Sequence, residues 1–478
     1  MDKFLTDLLG DRVTEDWWER LVYGRDLAEV PKIMCRILGL ETVPDMVARP
    51  VNTEETAALV KYASTKGMPI TPRGSGSSAF FNSVPIKKGL TLDMSSFKGI
   101  ELLNGDREEV TVGAGTRWQA LDRELRQSGW AVKSYPTSAP AATVAGWLSM
   151  EGYGIGSVYY GPVSNQVTKL EVVLADGTVQ EVTQDSRPPV AWFAGCDGTL
   201  GVITRVTLSI RRAPAAEGHW LLSFNQLESL CEAARELAAA PEKPYHLGYF
   251  SSTYFDFLRQ LGNPVPEGEV LEVDYEGEKA SVAAGRAAVE EVARKYKATI
   301  LDPDITAHKW EERFYHMRFK RLGPTLMAAE DWLPLQNLGK YRETLKKLSR
   351  RLGTKFYSYG TIVSPDKMTV FTGYRADARQ KLAYVVAMAV TGRLHALARK
   401  LGGHPYSLGL WNTPYLPIIY SPEELAELRR RKEQLDPQGL FNPGKHYTYP
   451  VLLAPWLFSL GVNVVSSLQR FTGPCEWE

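Results

Sequence analysis

The sequence predicts an α+β protein built in two layered parts, and three observations predict it. Residues 50–212 alternate short β-rich runs with turns and two helical stretches. From about residue 214 long helical runs separate apolar strands, the pattern of a sheet covered by helices. Glycine-rich clusters recur within the first part only, around 74–76, 146–161 and 195–201, where backbone has to turn tightly or approach something closely.

In the first part, Asn52-Thr53-Glu54-Glu55 is a helix start signal and predicts a helix over about 54–66, with a second over 116–128. Strands are expected at Gly89–Asp93, Glu109–Gly113 and Lys169–Gly177. In the second part, helices are expected over 225–240, 278–297, 339–352 and 376–400, with strands near 245–251, 269–275, 356–363 and 367–373. A charged helix over Ser421–Gln434 leads to Leu435-Asp436-Pro437-Gln438-Gly439-Leu440-Phe441-Asn442-Pro443-Gly444-Lys445. The division this implies is 1–213, 214–420, a return to the first part over 421–448, and a tail over 449–478. The tail holds an amphipathic pattern from Pro455, with Leu457, Leu460, Val464, Leu468 and Phe471 on one stripe. Ser459, Asn463, Ser466, Ser467 and Gln469 make it a poor transmembrane span. Its expected uses are docking on its own protein, on a partner subunit, or on a membrane surface.

The chain's 478 residues, 44% of them hydrophobic, suffice for more than one core. Its 56 basic and 55 acidic residues leave a net charge of +1, which argues against nucleic-acid binding. Cys35, Cys196, Cys231 and Cys475 are far apart; they suggest no iron–sulfur ligand set or disulfide framework and fit a reducing compartment. The acidic N-terminus is unlike a signal peptide. A cytoplasmic protein is expected, with contact to the inner face of the cytoplasmic membrane as the alternative the tail leaves open.

Pro72-Arg73-Gly74-Ser75-Gly76-Ser77-Ser78 follows an apolar run and can turn several N–H groups toward one phosphate. No Gly-Lys-Ser/Thr follows it, so it is not a P-loop. Tyr135-Pro136-Thr137 and Thr143-Val144-Ala145-Gly146 precede Gly152-Tyr153-Gly154-Ile155-Gly156-Ser157 and Tyr160-Gly161. Gly195-Cys196-Asp197-Gly198-Thr199-Leu200-Gly201-Val202-Ile203 is the last cluster. Together they suggest a backbone wrapped around a long thin ligand such as a dinucleotide.

In these motifs the chain resembles the FAD-binding oxidoreductases of the vanillyl-alcohol-oxidase type, with a PCMH-type FAD domain. It looks most like the glycolate oxidase D-subunit and D-lactate dehydrogenase branch, from about Arg49 to Lys445. The resemblance implies a two-part FAD domain and an α+β cap with an antiparallel sheet. It implies that Pro72, Arg73, Gly74, Ser75, Gly76, Ser77 and Ser78 hold the pyrophosphate. Pro136, Thr137, Thr143, Ala145, Gly146, Gly152, Gly154, Ser157 and Tyr160 would follow the rest of the cofactor. Gly198, Gly201, Val202 and Ile203 would lie near the adenosine half, and Asn442 beside the flavin. Covalent attachment in the family uses a histidine or cysteine near these loops; no histidine precedes His219, so the FAD is expected to be non-covalent.

The chain departs from relatives whose cap carries a metal site. Where they have His-x-Gly-Asp-Gly-Asn-x-His it reads Tyr357-Ser358-Tyr359-Gly360-Thr361-Ile362-Val363-Ser364, and where they have a Gly-Glu-His-Gly turn it reads Gly402-Gly403-His404-Pro405. No metal of that type is expected. A carboxylate substrate would then need arginine, for which Arg313 and Arg318 are the candidates; His404, then Tyr359, are the candidates for handling the hydroxyl proton. The expected activity is oxidation of a 2-hydroxy acid bulkier than lactate. Electrons would pass to an iron–sulfur subunit, an electron-transfer flavoprotein or a quinone. An aryl-alcohol or phenol oxidase and an FAD-containing electron-transfer subunit are the alternatives.

Overall fold

The computed structural model describes residues 2–447 except 29, 31, 263, 264 and 324, together with 460 and 464; the expectation for the tail lies outside the described residues. The chain divides into two compact units. The first comprises Met1–Gly152, Pro162–Arg212 and Ser407–Pro455, the second Tyr153–Gly161, Ala213–Tyr406 and Trp456–Glu478. The return to the first unit thus begins at Ser407, ahead of the charged helix, and the short segment Tyr153–Gly161 groups with the second unit.

Unit 1 contains two larger sheets. One orders the strands 13–14, 46–48, 90–93 and 70–73, the last two parallel to each other. The other is antiparallel, in the order 100–104, 109–113, 202–209, 167–173, 179–183. The helix Thr53–Thr65 starts where the sequence signals it: the Asn52 side chain accepts a 2.8 Å bond from the Glu55 N–H, satisfying an otherwise unpaired donor. It buries Thr56, Leu59, Val60 and Ala63 on one face.

Unit 2 is organised by an eight-stranded antiparallel sheet, in the order 299–300, 216–224, 269–277, 246–250, 357–364, 367–376, 325–334, 404–405. Alternation along each strand gives its two faces different work. Leu222, Leu247, Tyr249, Leu271, Val273, Leu333, Met368 and Val370 point to a core with the helices 227–239, 279–296, 338–352 and 381–400. Leu221, Phe250, Val270, Tyr357, Tyr359 and Phe371 point the other way, against the helix Ser252–Gln260 and Phe319. The strand 216–224 and the helices 252–260 and 303–311 are additions to the elements expected from sequence, and the strand 325–334 contains Glu330–Pro334, a segment that resembles a strand of the family.

Candidate functional site

Unit 1 places the predicted pyrophosphate loop at the end of the strand Ile70–Arg73. Pro72 lies under Gly198, whose added Cβ would meet the Pro72 ring at 3.4 Å. The Arg73 side chain turns away from the loop's rim: it is buried, lies over the Tyr23 ring and donates to the Ser83 carbonyl. Gly76 has φ +66°, and a Cβ there would stand 2.1 Å from Arg73 Nη2. At Gly74 it would stand 2.3 Å from Thr143 Oγ1. Small residues are therefore imposed by the chain's own packing, leaving bare backbone on the outside. Among the described residues no protein acceptor is found for the N–H groups of Ser75, Gly76, Ser77 and Ser78. Unpaired amides converging on one loop fit an anionic diphosphate, so the loop fits FAD.

Thr143 caps the helix Val144–Leu148, accepting from the Gly146 N–H at 3.2 Å. The Ala145 N–H donates to the Ala114 carbonyl. Gly152 and Gly201 have packing reasons of their own, since Cβ atoms there would collide with the Trp147 indole and Val172. Val202 and Ile203 open a central strand. Pro136 is buried and accepts from the Ala139 N–H, with Thr137 half-exposed beside it. Gly154, Ser157 and Tyr160 fall in unit 2, where Ser157 Oγ accepts from the Gly154 N–H and Tyr160 packs on Tyr245.

A buried polar knot lies behind the loop. The Asn442 amide donates to the carbonyls of Asn82 and Asp197, at 2.7 and 2.6 Å. Its Oδ1 accepts from Lys445 Nζ, which also donates to the carbonyls of Asn82 and Val84. The Asp197 carboxylate takes Asn82 Nδ2, the Gly409 N–H and His446 Nε2. Asp197, Asn442 and His446 all have positive φ, strain that persists only where surroundings over-determine it. Burial pushes the Lys445 ammonium down to about 7. The knot reaches the loop through Ser78, hydrogen-bonded to Asn82. Its members Asn82, Asp197, Lys445 and His446 were not predicted; two of them, Asp197 and Lys445, sit inside motifs that were read for their glycines. Cys196 is buried, with its thiol pushed up to about 11.

In unit 2 strand register brings distant residues into one row. Phe250 pairs with Tyr359, Tyr359 with Phe371, and Phe371 with Glu330, across four neighbouring strands. Phe250 is buried, whereas Tyr359, Phe371 and Glu330 keep partial exposure in the middle of the sheet. Such openness marks a floor that something else can cover. The next row runs from Gly248 through Thr361 to Thr369, Trp332 and His404. Desolvation pushes the Glu330 carboxyl up to about 7, reinforced by Asp331. It holds the Tyr359 phenol well above its ordinary range, with Glu330 among the contributors.

His316 stacks on Tyr359 with centroids 4.6 Å apart and meets the Tyr254 hydroxyl through Nδ1 at 3.0 Å. Arg318 is half-buried; it pairs with Glu312, and its Nε and Nη2 have no hydrogen-bond partner among the described residues. Arg313 instead stacks on Trp310 and Phe314 and donates to the Trp310 carbonyl. Of the two predicted arginines, only Arg318 has unused donors in the buried cluster. His404 stands at the sheet edge beside Trp332, with Nδ1 3.0 Å from the Pro405 carbonyl. Burial lowers its pKa, helped by Lys367. Tyr153 packs edge-on against Trp332, and its N–H donates to the Tyr406 hydroxyl at 2.6 Å.

Comparison with known proteins gives the same outline. Residues 44–183 match the FAD binding domain family and residues 213–446 the C-terminal domain of FAD linked oxidases. The chain is 22% identical to glycolate oxidase subunit GlcD of Bacillus subtilis, with 90% of this chain and 92% of that one covered. It is 23% identical to the mitochondrial D-lactate dehydrogenase [cytochrome] of Arabidopsis thaliana, with 92% and 79% covered. The solved structure of p-cresol methylhydroxylase with substrate bound superposes with a TM-score of 0.80 at 15% identity, covering 93% of this chain and 96% of that one.

Proposed function

This chain belongs to the FAD-linked oxidases and is an FAD-dependent oxidoreductase with a PCMH-type fold, and we propose that it dehydrogenates a 2-hydroxy acid bulkier than lactate. The electrons would leave to a partner protein or quinone. The observation that carries this reading is the open row Tyr359–Phe371–Glu330, with the unpartnered donors of Arg318 in the neighbouring cluster.

Bound FAD supplies the hydride acceptor; in the proposal it is held through the amides of Ser75–Ser78. The chain's own residues do the rest. Arg318 offers Nε and Nη2 to the substrate carboxylate, a pairing that is strong away from water. Tyr359, kept protonated by burial, donates to the oxygen on the carbon being oxidised. Glu330 takes the hydroxyl proton, and a carboxyl ionising near 7 suits that role at neutral pH. His404 is the weaker candidate for the base, because it lies beyond Trp332 with its Nδ1 engaged. The names of the relatives, glycolate oxidase and D-lactate dehydrogenase, support the substrate class.

Anaerobic stopped-flow mixing with glycolate, D-lactate and larger 2-hydroxy acids tests the reading. Flavin bleaching by at least one acid is expected; bleaching by none overturns it. The aromatic character of the row, with Trp332 beside it, favours a second reading as a phenol or aryl-alcohol oxidase. Bleaching by an aryl alcohol alone, followed by rapid reoxidation with dioxygen, would select that reading.

A further inference from the structure

Beyond the row just described, the same sheet face carries a second polar cluster that the proposed reaction does not use. His246, Glu272 and Asp274 come from neighbouring strands, with ligating atoms all within 4.8 Å of one another. His219 pairs with Asp274 from the next strand over and bonds its Oδ1 at 2.8 Å. Lys309 reaches in from the helix Pro303–Glu311; its Nζ stands 3.7 Å from Glu272 Oε1 and 3.9 Å from the Phe250 ring centre. The cluster is enclosed: Lys309 is 5% exposed, His246 4%, Glu272 4% and Asp274 0%. Among the described residues, three of its polar atoms have no hydrogen-bond partner: Lys309 Nζ, His246 Nδ1 and Asp274 Oδ2.

Buried donors and acceptors left without a hydrogen bond are costly, so their combination needs an explanation. A divalent cation is disfavoured by the charges already present. Lys309 stands against Glu272, and the His219 ring is bonded to Asp274, so basic groups already face both carboxyl groups. An extra anion is disfavoured by the same balance, because the two carboxylates already offset the two basic groups. What remains is a neutral group able to donate and accept at once. Hydroxyls do both. An ammonium offering hydrogens beside a carboxylate oxygen and an imidazole nitrogen offers partners for vicinal hydroxyls.

Resting on the proposed hydroxy-acid reading, we infer that Lys309, Glu272, Asp274 and His246 bind the hydroxylated chain of a polyhydroxy acid, a 2-hydroxy acid of the sugar-acid class. Phe250 connects the two clusters: Lys309 lies over its ring and Tyr359 is its neighbour in the row. The substrate's extra bulk is then polar.

The test compares matched pairs in anaerobic flavin reduction with FAD-loaded enzyme: glycerate with lactate, erythronate with 2-hydroxybutyrate, gluconate with 2-hydroxyhexanoate. Each hydroxylated acid is expected to give an apparent Kd at least about 10-fold below its deoxy partner. Lys309→Met should abolish that preference while the deoxy acids still reduce the flavin; Tm should fall, because the buried Glu272 loses the cation beside it. Equal or tighter binding of the deoxy acids overturns the inference while leaving hydroxy-acid oxidation standing. Wild-type preference that survives in Lys309→Met also overturns the assignment to this cluster. Flavin that no hydroxy acid reduces removes the underlying reading itself. A preference that appears only with added Mn²⁺ or Zn²⁺ overturns the inference in favour of a metal at His246, Glu272 and Asp274.

Discussion

The loop of unit 1 and the sheet face of unit 2 are built on opposite principles. The loop offers backbone: Gly74 and Gly76 are small because Thr143 and Arg73 occupy the space behind them, and the amides of Ser75–Ser78 are left over for a ligand. The sheet face offers side chains, each from a different strand, set side by side by register: Phe250, Tyr359, Phe371 and Glu330. Backbone is the same whatever the sequence, so a loop of this kind suits a ligand shared by a whole family. Side chains can be exchanged one at a time without moving the strands, so a sheet face suits a substrate that differs between members. The comparison predicts that damage to the loop costs cofactor, and damage to the face costs chemistry with the cofactor still bound.

The largest expected effect is at Glu330. Glu330→Gln should slow flavin reduction by about 10²–10⁴-fold while the purified protein keeps its yellow FAD spectrum. A variant that loses FAD instead would erase the distinction between the regions. The pH dependence has a definite sign. The folded-state pKa, about 7, lies above the ordinary glutamate value of 4.5, so the folded state binds more protons between those values. Stability attributable to this group is therefore present below about pH 4.5 and lost as pH rises through about 7. The reduction rate should climb over the upper part of that window as the carboxylate forms, and Glu330→Gln should flatten the climb.

Next comes the loop. Gly76→Ala forces a Cβ to within 2.1 Å of the Arg73 guanidinium at φ +66°. Strain of about 1–2 kcal/mol for the backbone and about 1–3 kcal/mol for the overlap predicts FAD affinity weakened by roughly 100-fold. Titration of apoprotein with FAD measures it. Affinity within about 2-fold of wild type would mean that the loop is not the cofactor's anchor. A smaller effect is expected at Asn442. Asn442→Ala leaves the carbonyls of Asn82 and Asp197 short of a donor and removes one acceptor from Lys445. A loss of about 2–3 kcal/mol in stability is expected, read as a lower Tm in the FAD-bound protein.

The same contrast explains what the sequence made legible. The loop and its partners at 143–161, 195–203 and 435–445 are contiguous strings whose glycines can be read in place. The sheet face has no string. Glu330 and Tyr359 are 29 positions apart (359 − 330), and only pairing through Phe371 makes them neighbours. Lys309 and His316 belong to no motif in the sequence, yet both are buried. One signal was present: Glu272 and Asp274 alternate with Leu271, Val273 and Tyr275 in a strand flanked by others on both sides. Charges on the inward-alternating positions of a central strand are costly without a task, and period-2 reading of that strand singles them out. The knot at Asn82, Asp197, Asn442, Lys445 and His446 was half legible, because the motifs containing it were visible but the partnership of their side chains was not.

The smallest effect is expected at His404, and it tests the sheet-face assignment most sharply. His404 shares the face but stands at its edge, paired to Trp332 rather than to the open row. Its Nδ1 is engaged with the Pro405 carbonyl, and burial together with Lys367 keeps the ring neutral near pH 7. A neutral ring outside the row can shape the rim of the site without taking the substrate's proton. His404→Gln, which keeps a polar group of similar reach, should lower the flavin reduction rate by less than about 10-fold and leave the rising limb of its pH profile in place. A loss above about 100-fold together with disappearance of that limb would move the base from Glu330 to the sheet edge. The row Tyr359–Phe371–Glu330 would then be a packing surface, and the side-chain half of the comparison would have to be redrawn around Trp332, Lys367 and His404.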